Sequence, residues 1–478
     1  MQLNTSLYEH QIKAVDKLSN VKVGALYMEM GTGKTRTALE LIKKRLDEGK
    51  VNHVLWLCPC SVKESLKRDI KKHASGDLSM FTICGIETLS SSIRANIALL
   101  ELVEQKSVYL IVDESNLVKN HKAKRTQNII RLSESCKYKL ILNGTPISKC
   151  EKDLFAQWYI LDWRILGYRS FWSFAANHLE YDERVKGKIV RCLNVDYLVR
   201  KIAPYTYQVK KSECLDLPDK TYSNYYYSMT KEQLEHYDYV AEQLLFEVDE
   251  LEPHTIYRLF SGLESVISGF RVKVGDKLTR KPLFKNPMDN PRMQTLFEIL
   301  DNLDEKVIIF CKYTKEILDI VEIANNRYGE GSAVAFCGEL NQKKRQVNIL
   351  EFKDSAKFFV ANKTCAGYGL DLQFCSYVIY YSNDWDYATR GQSEDRVHRI
   401  GQDKNVHIVD ICASNTLDER IIKCLNRKED LVASFKKELD RQKDNNFVDA
   451  FIYRRSYDGV KYAKKSEIKE IDDLKEGV

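Results

Sequence analysis

Cysteine pairs at metal-binding or redox spacing are absent from this chain. Thirteen cysteines are scattered along it, and no two form a Cys-x-x-Cys arrangement. The nearest two, Cys58 and Cys60, flank Pro59, a spacing that suits neither zinc nor a dithiol motif. Reduced, mostly buried thiols are expected. Long apolar runs are missing too: nowhere do roughly 18 uncharged apolar residues follow one another, the length that a membrane-spanning helix needs. Met1 to Leu18 mixes polar and apolar residues without the apolar block of a secretory signal. These absences predict a reducing, aqueous setting and no membrane partner. Internal repeats, low-complexity tracts and recognisable zinc, nuclease or chromatin-reading modules are also lacking. Proline is scarce at eight residues, yet Pro282, Pro287 and Pro291 share one short stretch, which predicts a boundary there.

What is present is ordinary globular material. Hydrophobic residues make up 44% and charged residues 30%, which excludes wholesale disorder. At 478 residues the chain is too long for one core and suits two or three. Lysine and arginine number 74 against 68 acids, a net +6 that would suit a polyanion without demanding one. Basic clusters at Lys43 to Arg45, Lys67 to Lys72, Lys119 to Arg125 and Lys343 to Arg345 fit either phosphate-tracking surfaces or solvated helix faces.

Short apolar runs alternate with helical stretches in the first half (Ala25 to Met28, His53 to Leu57, Tyr109 to Val112, Leu140 to Leu142). The rhythm resumes at Val307 to Phe310, Phe358 to Ala361, Tyr377 to Tyr381 and Val406 to Ile411. An α/β fold with two lobes follows, each a parallel sheet flanked by helices, with helical insertions between them. The expected divisions are a first lobe over 1–205, a helical inter-lobe segment over 206–290, a second lobe over 291–435 and a charged tail over 436–478. Within that tail Asp458-Gly459 predicts a hairpin turn.

The chemistry begins where the run Ala25 to Met28 meets Glu29-Met30-Gly31-Thr32-Gly33-Lys34-Thr35 and a helix starting near Arg36. Strand, glycine turn and helix in that order make a phosphate-binding loop. Backbone amides of Gly31, Thr32 and Gly33 would face phosphate oxygens, Lys34 would neutralise charge between the β- and γ-phosphates, and the Thr35 hydroxyl would ligate Mg2+. Met28 stands where the longer form of this loop has glycine, so the match is to Gly-x-Gly-Lys-Thr.

Asp113-Glu114 ends the apolar run Tyr109 to Val112, at the strand end where open α/β sheets bind ligands. Asp113 would hold Mg2+ through water, and Glu114 would orient and deprotonate an attacking water. In Gln392 to Gln402, Arg396 and Arg399 stand three apart, on one face if helical. Their forked donors suit phosphate oxygens. Supplied by the second lobe to a nucleotide on the first, they would stabilise transferred charge when the lobes close; a surface salt-bridge helix is the alternative.

These elements and their order resemble the Swi/Snf-like family of DNA translocases in helicase superfamily 2, over nearly the whole chain from Leu7 to about Leu431. Leu7-Tyr8-Glu9-His10-Gln11 resembles the adenine-reading Q motif, with Gln11 as the base contact, and Met28 to Thr35 resembles motif I. Cys58-Pro59-Cys60-Ser61 is similar to motif Ia, Asp113 to Asn116 to motif II, and Asn143-Gly144-Thr145-Pro146 to motif III. Ile202-Ala203-Pro204 and Leu217-Pro218 look like the inter-lobe segment. Val307 to Phe310, Ala366 to Leu372, Asp384-Trp385-Asp386 and Gln392 to Gln402 are similar to motifs IV and V, the tryptophan loop and motif VI. Two departures stand out: Asn116 replaces the usual histidine, and Gly85 to Ser91 resembles motif Ib only loosely.

The resemblance implies two RecA-like lobes that bind ATP and Mg2+, with Arg36 beside the nucleotide, and a monomeric motor that steps along double-stranded DNA without separating its strands. Lys63 and Lys67, near motif Ia, are the expected backbone contacts, with simple solvation as the other reading. Two alternatives share these residues: a strand-separating helicase of the same superfamily, and a DNA clamp that uses ATP only as a switch. The compact plan predicts a bacterial or viral chain working in cytoplasm or nucleoid.

Overall fold

The computed structural model describes residues 1–144, 151–182, 189–245, 253–363, 370–427 and 431. They form two compact units. One comprises the described residues of Met1–Lys220, 364–376 and Gly391–Val406; the other comprises those of Thr221–Lys363, Tyr377–Arg390 and 407–478.

The first unit is built on a six-stranded parallel sheet. Its strands run Thr206–Val209, Val23–Met28, Tyr138–Asn143, Val108–Val112, His53–Cys58 and Phe81–Gly85 from edge to edge. Continuous apolar runs form these strands because helices cover both faces of the sheet, so alternate side chains enter two different cores. Ala25, Tyr27, Leu55, Leu57, Leu110 and Val112 point into one. Leu26, Met28, Val54, Trp56, Tyr109 and Ile111 point into the other. Helix Lys152–Leu166 joins the first of these cores, where buried Trp158 donates its indole N–H to the Tyr27 hydroxyl at 3.0 Å. Trp158 is therefore core, whereas Trp172 is 66% exposed.

The second unit has its own six-stranded sheet, ordered Lys220–Tyr227, Val406–Ala413, Tyr377–Tyr380, Val307–Cys311, Phe358–Asn362 and Ala333–Phe336. The last five strands pair in parallel. Val307, Ile309, Phe358, Val360, Ile379 and Val409 face one core, which helices Lys231–Leu245, Pro253–Ile267 and Pro291–Asp301 close. The proline-rich stretch ends in a helix start: Asn290 caps Pro291–Asp301 by accepting from the Arg292 N–H at 3.1 Å, with Pro291 in the first turn, where a missing N–H costs nothing.

The first unit runs past the division drawn at residue 205, because Thr206–Val209 hydrogen-bonds along Val23–Met28. From Thr221 the inter-lobe segment falls to the second unit, where Tyr237, Val240, Leu259 and Leu263 enter its core. Gly391–Val406, drawn within the second lobe over 291–435, joins the first unit. Polar bonds hold it there: Lys220 to Glu394, His398 to the Pro218 carbonyl, and the Val406 N–H to the Asp219 carbonyl.

All eleven cysteines among the described residues are free thiols, seven of them buried. No helix among the described residues is long and apolar enough to cross a membrane. Thr145-Pro146 of the motif III match, Ala366 to Gly369 of the motif V match, and the tail with Asp458-Gly459 lie outside the described residues.

Candidate nucleotide site

Strand Val23–Met28 delivers the chain to a loop with two left-handed glycines, Gly31 at φ +82° and Gly33 at φ +87°, and helix Lys34–Asp47 starts directly after. Only glycine takes this backbone without strain, and the loop is also closed on itself. The Thr32 hydroxyl donates to the Glu29 carbonyl at 2.7 Å, and the Lys34 ammonium donates to the Met28 carbonyl at 2.9 Å. Lys34 is pulled below the ordinary lysine range by desolvation, against the Glu114 and Asp113 carboxylates, which favour its charge. Thr35 is half-buried in the first helical turn.

Helix Glu9–Leu18 brings its start to this loop. Gln11 accepts from the Tyr8 N–H at 3.0 Å and donates to the Thr32 carbonyl at 3.1 Å, and the His10 Nε2 lies 2.8 Å from the same carbonyl. A Cβ at Gly33 would collide with the Gln11 amide. Arg36, expected beside the nucleotide, is buried and turned elsewhere: its guanidinium donates to Thr5 and to the Glu40 carboxylate.

Asp113 and Glu114 follow strand Val108–Val112 on the neighbouring stretch of sheet. The Asp113 N–H bonds the Leu57 carbonyl at 2.7 Å, and its Oδ1 accepts from the Glu114 N–H at 2.9 Å. Burial, and then the Glu114 charge, push the Asp113 carboxyl up to about 7. Glu114 itself is left-handed at φ 49°, a conformation that costs a side-chain-bearing residue energy. The Asn116 Oδ1, at the position where the family usually has histidine, is buried with no hydrogen-bond partner among the described residues.

Arg396 and Arg399 lie in the same unit, but not on a helical face. Helix Tyr387–Glu394 ends before them, and turns closed by Arg396 N–H to Ser393 and His398 N–H to Glu394 carry them instead. Burial and the neighbouring Arg399 charge pull Arg396 below the usual arginine range, while Glu114 favours its charge. Arg399 donates to Asp371 at 2.6 Å. Its Cβ lies 2.8 Å from where a Cβ on Gly31 would stand. The structure thus brings Lys34, Asp113, Glu114 and Arg396 into one electrostatic neighbourhood, with Arg399 packed on the loop.

Sequence reasoning missed Lys211, between the two segments matched to the inter-lobe region. It is buried, its backbone N–H donates to Glu29 at 2.7 Å, and its ammonium reaches Asp395 and the His398 carbonyl. A lysine beside a lysine carries no local signal of such a role. Lys63 and Lys67 lie on helix Lys63–His73 in the same unit, away from this cluster in sequence, and Lys67 pairs with Glu64 at 2.8 Å. Trp385 is partly buried against the second unit's core, with the Lys312 ammonium 4.0 Å from its ring centre.

Family models match in chain order: the type III restriction enzyme res subunit at residues 4–148, the SNF2-related domain at 80–266 and the helicase conserved C-terminal domain at 291–401. An uncharacterised ATP-dependent helicase of Mycoplasma pneumoniae is 24% identical over 90% of this chain and 42% of its own length. The uncharacterised ATP-dependent helicase YqhH of Bacillus subtilis is 24% identical over 90% of this chain and 80% of its own. The ISWI chromatin-remodeling complex ATPase ISW2 of Saccharomyces cerevisiae is 25% identical over 87% and 40%. Against the first two curated relatives the chain spans only 42% and 31% of their lengths. The SWI2/SNF2 ATPase core domain of Sulfolobus solfataricus is 22% identical over 100% of this chain and 95% of its own, with a TM-score of 0.40, too loose a superposition to equate sites. Two parallel sheets, a glycine loop in one electrostatic neighbourhood with an Asp-Glu pair, and the ordered SNF2-related and helicase C-terminal matches support a Swi/Snf-like ATPase of helicase superfamily 2.

Proposed function

We propose that this chain hydrolyses ATP and uses the energy to move along double-stranded DNA without separating the strands, displacing or remodelling bound protein. The observation that carries the hydrolytic part is the convergence of Lys34, Asp113, Glu114 and Arg396 around a glycine loop at the end of a parallel sheet. Lys34 and the loop amides hold the phosphates. Glu114 orients a water in line with the γ-phosphorus and takes its proton as the new P–O bond forms and the bond to the β-phosphate oxygen breaks. Arg396 offsets the charge that spreads over the oxygens in transfer, a task of positioning and electrostatics more than covalent chemistry. Arg399 would assist once released from Asp371.

Mg2+ fits this donor set: the Asp113 carboxyl, raised by burial and then by the Glu114 charge and only partly offset by Lys34, is the kind of ligand a hard cation stabilises, and the Thr35 hydroxyl sits one residue beyond Lys34. Asp113, partly through water, and Thr35 would hold it, and it would neutralise phosphate charge. Gln11, which bonds the loop carbonyl of Thr32, is the proposed adenine contact, whereas Arg36 is proposed to support the helix through Thr5 and Glu40.

The duplex preference rests on family membership and on relatives whose names carry DNA or chromatin, among them the ATP-dependent DNA helicase DDM1 of Arabidopsis thaliana and ISW2. Lys63 and Lys67 are the proposed phosphate contacts, and the motor is proposed to act as a monomer in the cytoplasm or nucleoid. The test is steady-state ATPase activity without nucleic acid and with single-stranded DNA, duplex DNA or RNA, with Lys34→Ala and Arg399→Ala as controls. Duplex stimulation lost in both variants supports the proposal. Stimulation by single strands or RNA alone overturns the duplex reading in favour of a strand-separating helicase.

A further inference from the structure

Lys211 bonds one side of the nucleotide cluster through its backbone and the other through its side chain. Its N–H donates to the Glu29 carboxylate, in the first residue of the phosphate loop, at 2.7 Å. Its side chain is 8% exposed, and the ammonium pairs with Asp395, directly before Arg396, and donates to the His398 carbonyl, directly before Arg399, at 2.8 Å. Its Cε also lies 3.8 Å from where a Cβ on Gly31 would stand, so Lys211 and Arg399 cover the same glycine. The strand that carries it is fixed independently, by pairing Thr206–Val209 with Val23–Met28 and by the Glu29 N–H to the Val209 carbonyl.

We infer that Lys211 is a positioning residue for hydrolysis, holding the Asp395 to Arg399 turn in register over the phosphate loop so that Arg396 and Arg399 meet the transferred phosphate. The inference rests on the hydrolytic reading above. Neither arginine is on a regular element, so hydrogen bonds to the turn set where they point. Without the ammonium, Asp395 keeps a partly buried carboxylate with its cation removed, and the His398 carbonyl loses a charged donor. The turn relaxes toward solvent and takes the arginines with it. The loop itself stays, because the bond from Lys211 to Glu29 comes from the backbone and survives a side-chain change.

The test uses the full chain as wild type, Lys34→Ala, Lys211→Met, Lys211→Arg, Asp395→Asn and the double variant Lys211→Met with Asp395→Asn. Duplex-stimulated ATPase and equilibrium binding of a fluorescent ADP analogue are measured. Lys211→Met is expected to lower kcat about 10- to 100-fold, the range in which small misplacements act. KM for ATP and analogue affinity should stay within about threefold, since phosphate binding does not pass through the ammonium. Lys211→Arg should keep at least about a third of the activity, and the double variant should be within about twofold of Lys211→Met, because both changes break one bond.

A Lys211→Met chain with wild-type kcat overturns the inference. So does one that loses kcat and analogue binding together, the mark of a merely structural residue. Should Lys211→Met fail to fold, Asp395→Asn, equal in size, carries the same test from the other end of the bond. Wild type with no ATPase that Lys34→Ala removes would overturn the hydrolytic reading itself; wild-type hydrolysis with both Lys211→Met and Asp395→Asn unaffected removes only the positioning role.

Discussion

The Cβ of Arg399 stands 2.8 Å from where a side chain on Gly31 would begin, with its Cα at 3.4 Å, so a glycine in the phosphate loop and an arginine of a distant turn share one space. Gly31→Ala meets both a backbone at φ +82° and this collision. It is expected to cost about 1–3 kcal/mol of stability from the strained backbone alone, and to reduce ATPase further by pushing Arg399 off the loop. Gly76→Ala is the control: φ is +87° there, but the Cβ meets open space. That variant should lose a similar amount in thermal melting and keep its ATPase. Equal activity of the two variants would remove the Arg399 contact from the account.

Glu114 combines a proposed catalytic carboxylate with a left-handed backbone. Glu114→Gln keeps the shape and removes the base, so ATPase should fall by about 10²- to 10⁴-fold with nucleotide binding kept. Glu114→Gly should be equally inactive yet melt no lower than Glu114→Gln, because glycine adopts φ 49° without strain. A glycine variant that melts well below the glutamine variant would show that the backbone is not strained there.

Lys63 and Lys67 separate by their surroundings. Lys67 is about half exposed and paired with Glu64, whereas Lys63 is half-buried at the start of its helix, near the Cys58 and Cys84 thiols, which burial pushes up and the Lys63 charge only partly offsets. If each contacts a DNA phosphate, alanine at either position should weaken duplex binding alike for all sequences and lower the slope of log affinity against log salt by about 1. An unchanged slope with Lys67→Ala would assign that side chain to Glu64 alone.

In the second unit, the Lys363 ammonium is buried with no hydrogen-bond partner among the described residues and lies 5.6 Å from the Tyr380 ring centre. Burial lowers it to about 8, against the nearby Asp384 carboxylate. A lysine whose folded pKa lies below its unfolded value binds fewer protons folded, so stability rises with pH between about 8 and about 10.5, and the full cost of burying the charge is present below about 8. Lys363→Met should therefore stabilise this unit at pH 7 by roughly 1–3 kcal/mol, shrinking toward zero as pH approaches about 10.5. Chemical denaturation at the two pH values checks this, and a gain independent of pH would point to packing instead.

Much of the fold was written in local pattern. Runs such as Tyr109 to Val112 and Val307 to Phe310 read as buried strands, since a sheet covered on both faces hides every residue of a continuous apolar run and these runs are too short for a buried helix. The placement of Gly31, Gly33, Lys34 and the Asp113-Glu114 pair was legible because it depends on neighbours in sequence, a turn after a strand or acids at a strand end. Three matters were decided only by tertiary structure. Arg396 and Arg399 left the helical face that their spacing allowed, because Lys211 and Pro218 bind the turn that carries them. Arg36 turned to Thr5 and Glu40, partners that no motif announces. Lys211 became the link between Glu29 and Asp395, residues 182 positions before it and 184 after it. A sequence fixes what each residue can donate, accept or bury; which distant partner it meets depends on how the strands stack, and that is set by the whole chain at once.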